Sequence, residues 1–252
     1  CRTVDNIADQ EASLEYKKKE LLKFRTDFEN KDFKNEVIKN MWELIDEFNI
    51  SKKVVYDLFD GVGSDIREEV KIRNEKDLLI YSYRVAGTVG LMMAKIFNIK
   101  KQESLQRAIY LGIAMQLTNI ARDVVEDEKK NRVYLINYTK DTLINIKKII
   151  YTADTFYNSS FVGIKDIPLN CRFSIIVARR VYRQIGKKIF NIKDINTYRE
   201  AGKIYVSNFG KIIQTTLALF DFIKLFFSSP KKLEKEYEYN LINEDISLNE
   251  RI

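Results

Sequence analysis

Between residues 101 and 129 the chain carries a helical pattern that dictates what must surround it. Leu105, Ile109, Ile113, Leu117, Ile120 and Val124 form one apolar stripe, and Ala108, Leu111, Ala114 and Met115 make much of the remaining surface apolar too. A helix with so little polar face is stable only at the centre of a protein, clothed by other elements. The rest of the chain supplies helices to clothe it. Apolar residues recur at helical spacing in nearly every long segment, strict alternation is rare, and there are only two prolines, Pro168 and Pro230. The patterns predict helices over about 2–29, 34–48, 51–59, 64–97, 101–129, 139–162, 170–191 and 196–227. The expected fold class is all-α, with one helical domain over residues 1–227 because no Gly/Ser/Pro-rich linker divides it. The stretch from Ser228, "SSPKKLEKEYEYNLINEDISLNERI", is charged and poor in packing residues, so residues 228–252 are expected to form a loose tail. The chain starts at Cys1, inside a predicted helix, and is expected to lack its natural beginning.

The central helix also carries charges that need a reason. Gln116, Asn119, Asp123 and Asp127 fall at i, i+3, i+7 and i+11 and share one face. Carboxylates four residues apart sit about 6 Å from each other and repel, at a cost that grows as water is withdrawn. A hard dication relieves the repulsion, and Mg²⁺ takes one or two carboxylates while keeping sites for water and substrate phosphates. A solvated helix end, with Glu126 paired to Lys130, is the plain alternative. A second copy of the spacing favours the metal: "CRTVDNIAD" places Asp5 and Asp9 four apart, with Arg2 on the same face. Two such helices facing each other would build a four-carboxylate, multi-metal site, and Glu126, off the stripe, belongs to the surface. Arg122 lies beside Asp123 and Arg132 follows the second motif. Their forked guanidinium groups suit diphosphate oxygens, a structural salt bridge being the alternative for each.

Composition narrows the chemistry further. The chain has no histidine, which removes the commonest general base and transition-metal ligand. Two cysteines, Cys1 and Cys171, cannot make a disulfide framework or a cysteine-rich zinc site. Metal chemistry must therefore use oxygen ligands, as Mg²⁺, Mn²⁺ and Ca²⁺ do. The formal charge of +7 suits anionic partners, but lysines spread along the chain argue against nucleic acid. No signal peptide and no spanning helix are expected.

Four blocks, "CRTVDNIAD" (1–9), "YSYRVAGTVGLMMAKIF" (81–97), "AIYLGIAMQLTNIARDVVEDEKKNRVYL" (108–135) and "LNCRFSIIVARRVYRQIG" (169–186), occur in an order and spacing that resemble the squalene/phytoene synthase family of head-to-head prenyl transferases. The resemblance runs to about residue 227, and "VAGTVGLM" is closer to phytoene synthases than to squalene synthases. It implies the isoprenoid synthase fold, with a central cavity and the two aspartate motifs on opposite walls. By the same resemblance, Asp5, Asp9, Asp123 and Asp127 would carry Mg²⁺, or Mn²⁺, with Asn119 assisting, while Arg2, Arg122 and Arg132 would grip diphosphate. Tyr81 would lie against the reacting carbons, Gln116 and Tyr182 would line the cavity, and Lys203 would stand where relatives carry a phosphate-binding arginine. The implied reaction joins two geranylgeranyl diphosphates through a cyclopropyl diphosphate to phytoene, without NADPH. A farnesyl-using synthase of squalene, dehydrosqualene or a hopanoid precursor is the alternative, and a non-catalytic, membrane-associated assembly factor is a further one. The sequence departs from the family at Asn6, Ser82, Asn131 and Ile136, which stand for aspartate, cysteine, glycine and proline, and the helical segment usual before the first motif is missing.

An allylic cation needs an apolar cavity that excludes water, and aromatic faces that stabilise it, for which Tyr81 and Tyr83 are candidates. Gly87, Gly90 and Ala94 form a small-residue face suited to close helix packing, or else to a prenyl chain. The segment "IIQTTLALFDFIKLFF" (212–227) reads as a core helix in preference to a membrane-surface one. A hydrocarbon product must leave into lipid, so the expected location is cytoplasmic, peripheral on the inner face of the membrane.

Overall fold

A computed structural model describes residues 1–136, 142–228 and 236–252. The helix expected over 2–29 is two helices, α1 (Arg2–Asp9) and α2 (Leu14–Glu29). Gln10 is extended, and Ser13 restarts the helix by accepting the Tyr16 N–H at 3.2 Å. α3 (Glu36–Phe48) is capped by Asn35 and stopped by Asn49 in the left-handed conformation, and α4 (Lys52–Ser64) follows it. The helix expected over 64–97 starts only at α5 (Glu75–Ser82), capped by Asn74. It continues through a π-turn, Tyr83–Gly87, into α6 (Thr88–Ile96). The residues before α5 leave helix and carry β1 (Val70–Lys71), which pairs in parallel with β2 (Arg132–Val133), Val70 opposite Arg132. This short pair is the departure from all-helical structure among the described residues.

α7 (Gln102–Lys129) is the predicted central helix, with Ile109, Ile113, Ala114, Leu117 and Ala121 fully buried. α8 (Thr142–Ser160), a 3₁₀ turn at Phe161–Asp166 and α9 (Leu169–Phe190) pack against it; the opening residues predicted for the 139–162 helix lie outside the described residues. α6 approaches α7 backbone to backbone. A Cβ added at Gly90 would lie 2.3 Å from the Ala108 carbonyl oxygen, and one at Gly112 equally close to that of Ala86. Beside this contact a cavity of about 360 Å³ opens, lined by Val89, Gly90, Leu111, Gly112, Met115 and Ile164 among others.

The helix expected over 196–227 is also two, α10 (Ile195–Glu200) and α11 (Asn208–Phe227), parted near Gly202 (φ +58°) and restarted by Ser207, which accepts the Gly210 N–H. α11 overturns the core reading of its sequence. Of its described residues only Ala218 and Leu225 are buried, because the face turned to α9 also carries Gln214 and Asp221, which accept from Arg180 at 3.2 and 2.6 Å.

The loose tail expected over 228–252 is corrected for residues 236–252. α12 (Glu236–Ile246) and a 3₁₀ turn at Leu248–Glu250 lie against α5 and bury Tyr239, Ile242, Ile246 and Leu248. Lys76 of α5 binds Glu244 and Asp245 at 3.1 and 2.8 Å. Arg251 reaches into α4 and donates to both oxygens of buried Asp57 at 2.8 and 3.1 Å, and the Tyr83 hydroxyl donates to the same carboxylate at 2.9 Å. Tyr83, a candidate for cation stabilisation, is thus turned into the packing between α4 and the π-turn.

Candidate active site

The last turns of α7 are held rigidly. Tyr198 of α10 donates its hydroxyl to the Ala121 carbonyl at 2.8 Å, with that of Arg122 at 3.1 Å. On the exposed side of these turns stand the predicted polar residues. The Asn119 amide nitrogen donates to Gln116 Oε1 at 3.4 Å, while Asn119 Oδ1 is buried without a hydrogen-bond partner. Arg122 grips Asp123 with two bonds, at 2.8 and 2.6 Å. Lys203, in the α10–α11 connection, binds Glu126 at 2.8 Å and reaches Asp123 at 3.5 Å. Glu126, expected to play no part, therefore helps to aim Lys203 at the motif. Tyr182 is half-buried on α9, within electrostatic reach of Arg122.

Asp127 has no such grip. Burial first, and then the charge of Asp123, push its carboxyl up to about 7. A carboxyl that holds a proton to neutrality sits in a site with too little positive charge, and a cation there would discharge it. On α1, Asp5 is likewise raised, by partial desolvation first and by Asp9 second, and Arg2 lies exposed on the same helix. Arg132 joins the two motifs. It follows α7 through the left-handed Asn131 (φ +56°), a conformation that asparagine, like glycine, adopts readily, and it donates to Asp9 at 3.2 Å and to the Ala8 carbonyl at 3.3 Å.

The expected convergence of four carboxylates is not found, since among the described residues no three acidic side chains come close enough to hold a metal ion on their own. The donors still fit a hard dication. They are all oxygens, Asn119 Oδ1 is unpartnered, Asp127 is short of positive charge, and Mg²⁺ asks for only one or two carboxylates when a substrate phosphate completes its shell.

Two residues packed against Tyr81 at the candidate site escaped the sequence reading. Asp65, just past α4, accepts hydrogen bonds from Tyr81 at 3.0 Å and Tyr134 at 2.7 Å, and the two phenol rings stack with centroids 4.7 Å apart. The β1–β2 pair makes this possible by bringing the segment after α4 against the segment after α7. Burial raises Asp65 to about 6, against the pull of Tyr134, Arg132 and Tyr81. Tyr134 does carry a sequence signal, since it falls in "NRVYL" at the end of the 108–135 segment. For Asp65 no sequence signal exists, because an acid after a helix end usually faces water.

The family model for squalene/phytoene synthase matches residues 1–136, which hold both aspartate motifs. The phytoene synthase of Pseudescherichia vulneris is 32% identical over 218 residues, covering 75% of this chain and 70% of that protein. The 15-cis-phytoene synthase of Enterobacter agglomerans is 36% identical over 151 residues, covering 53% of this chain and 51% of that protein, so the chain spans about half the length of some of the relatives it matches. A crystal structure of a dehydrosqualene synthase in complex with ligand superposes with a TM-score of 0.67 and 25% identity, covering 89% of this chain and 83% of the other. With paired aspartates on α1 and α7 and this extent of likeness, the chain belongs to the squalene/phytoene synthase family of prenyltransferase-type enzymes.

Proposed function

We propose that the protein is a phytoene synthase, joining two geranylgeranyl diphosphates head to head through a cyclopropyl diphosphate with release of diphosphate. One observation carries the reading. A single face of α7 runs from Ala108, Leu111 and Met115 at the apolar cavity through Asn119 to Asp123 and Asp127. Ala108 and Asp123 are fifteen residues apart in sequence, and at 1.5 Å per residue the helix gives about 22 Å between a greasy end and an acidic one. An amphiphile with a diphosphate head and a prenyl tail matches that polarity, and the relatives named as phytoene synthases supply the chain length.

In this reading Asp123, Asp127 and Asn119 on one wall and Asp5 and Asp9 on the other would hold Mg²⁺, which supplies charge to the departing diphosphate. Arg2, Arg122, Arg132 and Lys203 add cations around the same head group, Arg122 and Lys203 exchanging Asp123 for phosphate oxygens. The Tyr81 hydroxyl is committed to Asp65, so the phenol is no free nucleophile towards an allylic cation, and its ring, stacked on Tyr134, offers a π-face to that cation. The apolar lining keeps water from the cation while the second chain attacks and the cyclopropane reopens.

The purified protein, given geranylgeranyl diphosphate and Mg²⁺ without NADPH, is expected to yield phytoene by gas chromatography and mass spectrometry. A C30 hydrocarbon from farnesyl diphosphate instead would favour the dehydrosqualene-type alternative, to which the 25% identical structure points. No hydrocarbon from either substrate would end the enzymatic proposal. Asp5→Asn and Asp123→Asn should each abolish turnover with the circular dichroism spectrum unchanged; activity retained in both removes the metal assignment.

A further inference from the structure

We propose that α11 docks the protein on an anionic lipid surface. The helix is amphipathic in the reverse sense. Its inward face carries Gln214 and Asp221, tied to Arg180, whereas its solvent face presents Ile212, Leu219, Phe220, Ile223 and Phe227 at helical spacing. Ile212 is 63% exposed, Phe220 66% and Phe227 83%, and among the described residues of this face Thr216 and Asn208 are the polar interruptions. Isolated exposed apolar residues are ordinary, but successive turns of them along one helix make a contiguous patch of the kind that marks an interface.

Charge selects the occupant. Lys211 and Lys224 are exposed at the borders of the patch, and Lys165 donates to the carbonyls of Phe226 and Ser228 at its far end. The carboxylate of α11, Asp221, is turned inward and neutralised by Arg180 at 2.6 Å, with Arg179 at 3.9 Å. The border is therefore cationic on a chain of formal charge +7. A second copy seated face to face would oppose like charges across the patch, while an anionic bilayer accepts the aromatic side chains between its headgroups and the lysines on its surface. The helix lies on the membrane and does not cross it, since no helix among the described residues is long and apolar enough to span one.

The test is co-sedimentation of the whole chain with vesicles of phosphatidylcholine, alone or mixed with phosphatidylglycerol, without substrate. Binding is expected to mixed vesicles and to weaken in high salt. Phe220→Glu combined with Ile223→Glu should lower partitioning at least about tenfold. Lys211→Gln and Lys224→Gln should each lower it about fivefold on mixed vesicles only, as expected for lysines near an anionic surface. All four side chains are exposed, so melting temperatures should stay at the parent value and report that the fold is intact. The proposal is overturned if the chain sediments with neither vesicle, or if the double glutamate variant binds as well as the parent. It is also overturned if light scattering finds a dimer that the double variant dissolves, which would give the face to a second copy. No substrate is present, so failure here leaves the catalytic proposal standing, and failure of turnover leaves this one.

Discussion

Replacing Asp65 by asparagine should change how stability depends on pH, and the structure sets both sign and size. Burial raises the Asp65 carboxyl from 3.8 to about 6 in the folded protein, even with Tyr134, Arg132 and Tyr81 favouring its charge. A carboxyl raised on folding binds its proton more tightly in the native state. Its contribution is therefore fully present below pH 3.8 and is lost as pH rises through about 6. At about 1.4 kcal/mol per pH unit the loss amounts to about 3 kcal/mol. For a domain of this size that corresponds to a fall of about 6–12 °C in melting temperature. The amide introduced by Asp65→Asn has no proton to lose and can still accept from one phenol, so near pH 4 the variant should melt close to the parent. By pH 7 the variant should have gained on the parent by most of that interval. Scanning calorimetry of both proteins at half-unit steps from pH 4 to 7.5 measures the difference, in which titrating groups remote from Asp65 cancel, while Asp127, raised in part by the Asp65 charge, adds a smaller change in the same sense. Parallel curves would refute the reasoning, because they would mean that Asp65 is as well solvated folded as unfolded.

Gly112→Ala should cost about 1–3 kcal/mol or more by overpacking, because its Cβ would meet the Ala86 carbonyl oxygen at 2.3 Å; unchanged calorimetric stability would show that the π-turn and α7 have room to part. Arg251→Ala removes the cation from Asp57, whose side chain is 6% exposed, and should cost about 3–5 kcal/mol by urea unfolding. Adding Asp57→Asn should restore part of that loss, and a purely additive double variant would show that the pair is not coupled.

The fold was legible where a pattern and its physical cause coincide. α7 could be read because an all-round apolar helix has one stable environment, and its acidic face could be read because carboxylates at i and i+4 need a cation or water. The breaks were harder. The interruption after Asp9 and the one near Gly202 are marked by Ser13 and Ser207, but a serine becomes a cap only when the chain before it turns, and the surrounding apolar spacing masked both. The C-terminal segment failed for another reason. Its apolar residues are diluted by charges whose partners, Lys76 and Asp57, lie far away in sequence, and composition registers the charge without the partner. α11 failed in the opposite sense, since its composition suits a core and only tertiary placement turns its apolar face outward. At the site, the aspartates, arginines and Tyr81 came from the motifs, whereas Asp65 came from the parallel strand pair, a contact between segments more than sixty residues apart in sequence.

The tie between Asp57 and Arg251 also orders events during synthesis. The carboxylate lies in the first quarter of the chain, and the guanidinium follows 194 residues later. At about 5–20 residues per second, a ribosome leaves the acid waiting for that cation for roughly 10 to 40 s. Over that interval, burying Asp57 beside Tyr83 costs the desolvation of a charge that this cation has yet to offset. The packing of α4 against the π-turn is therefore expected to reach its full strength only once Arg251 has been added to the chain.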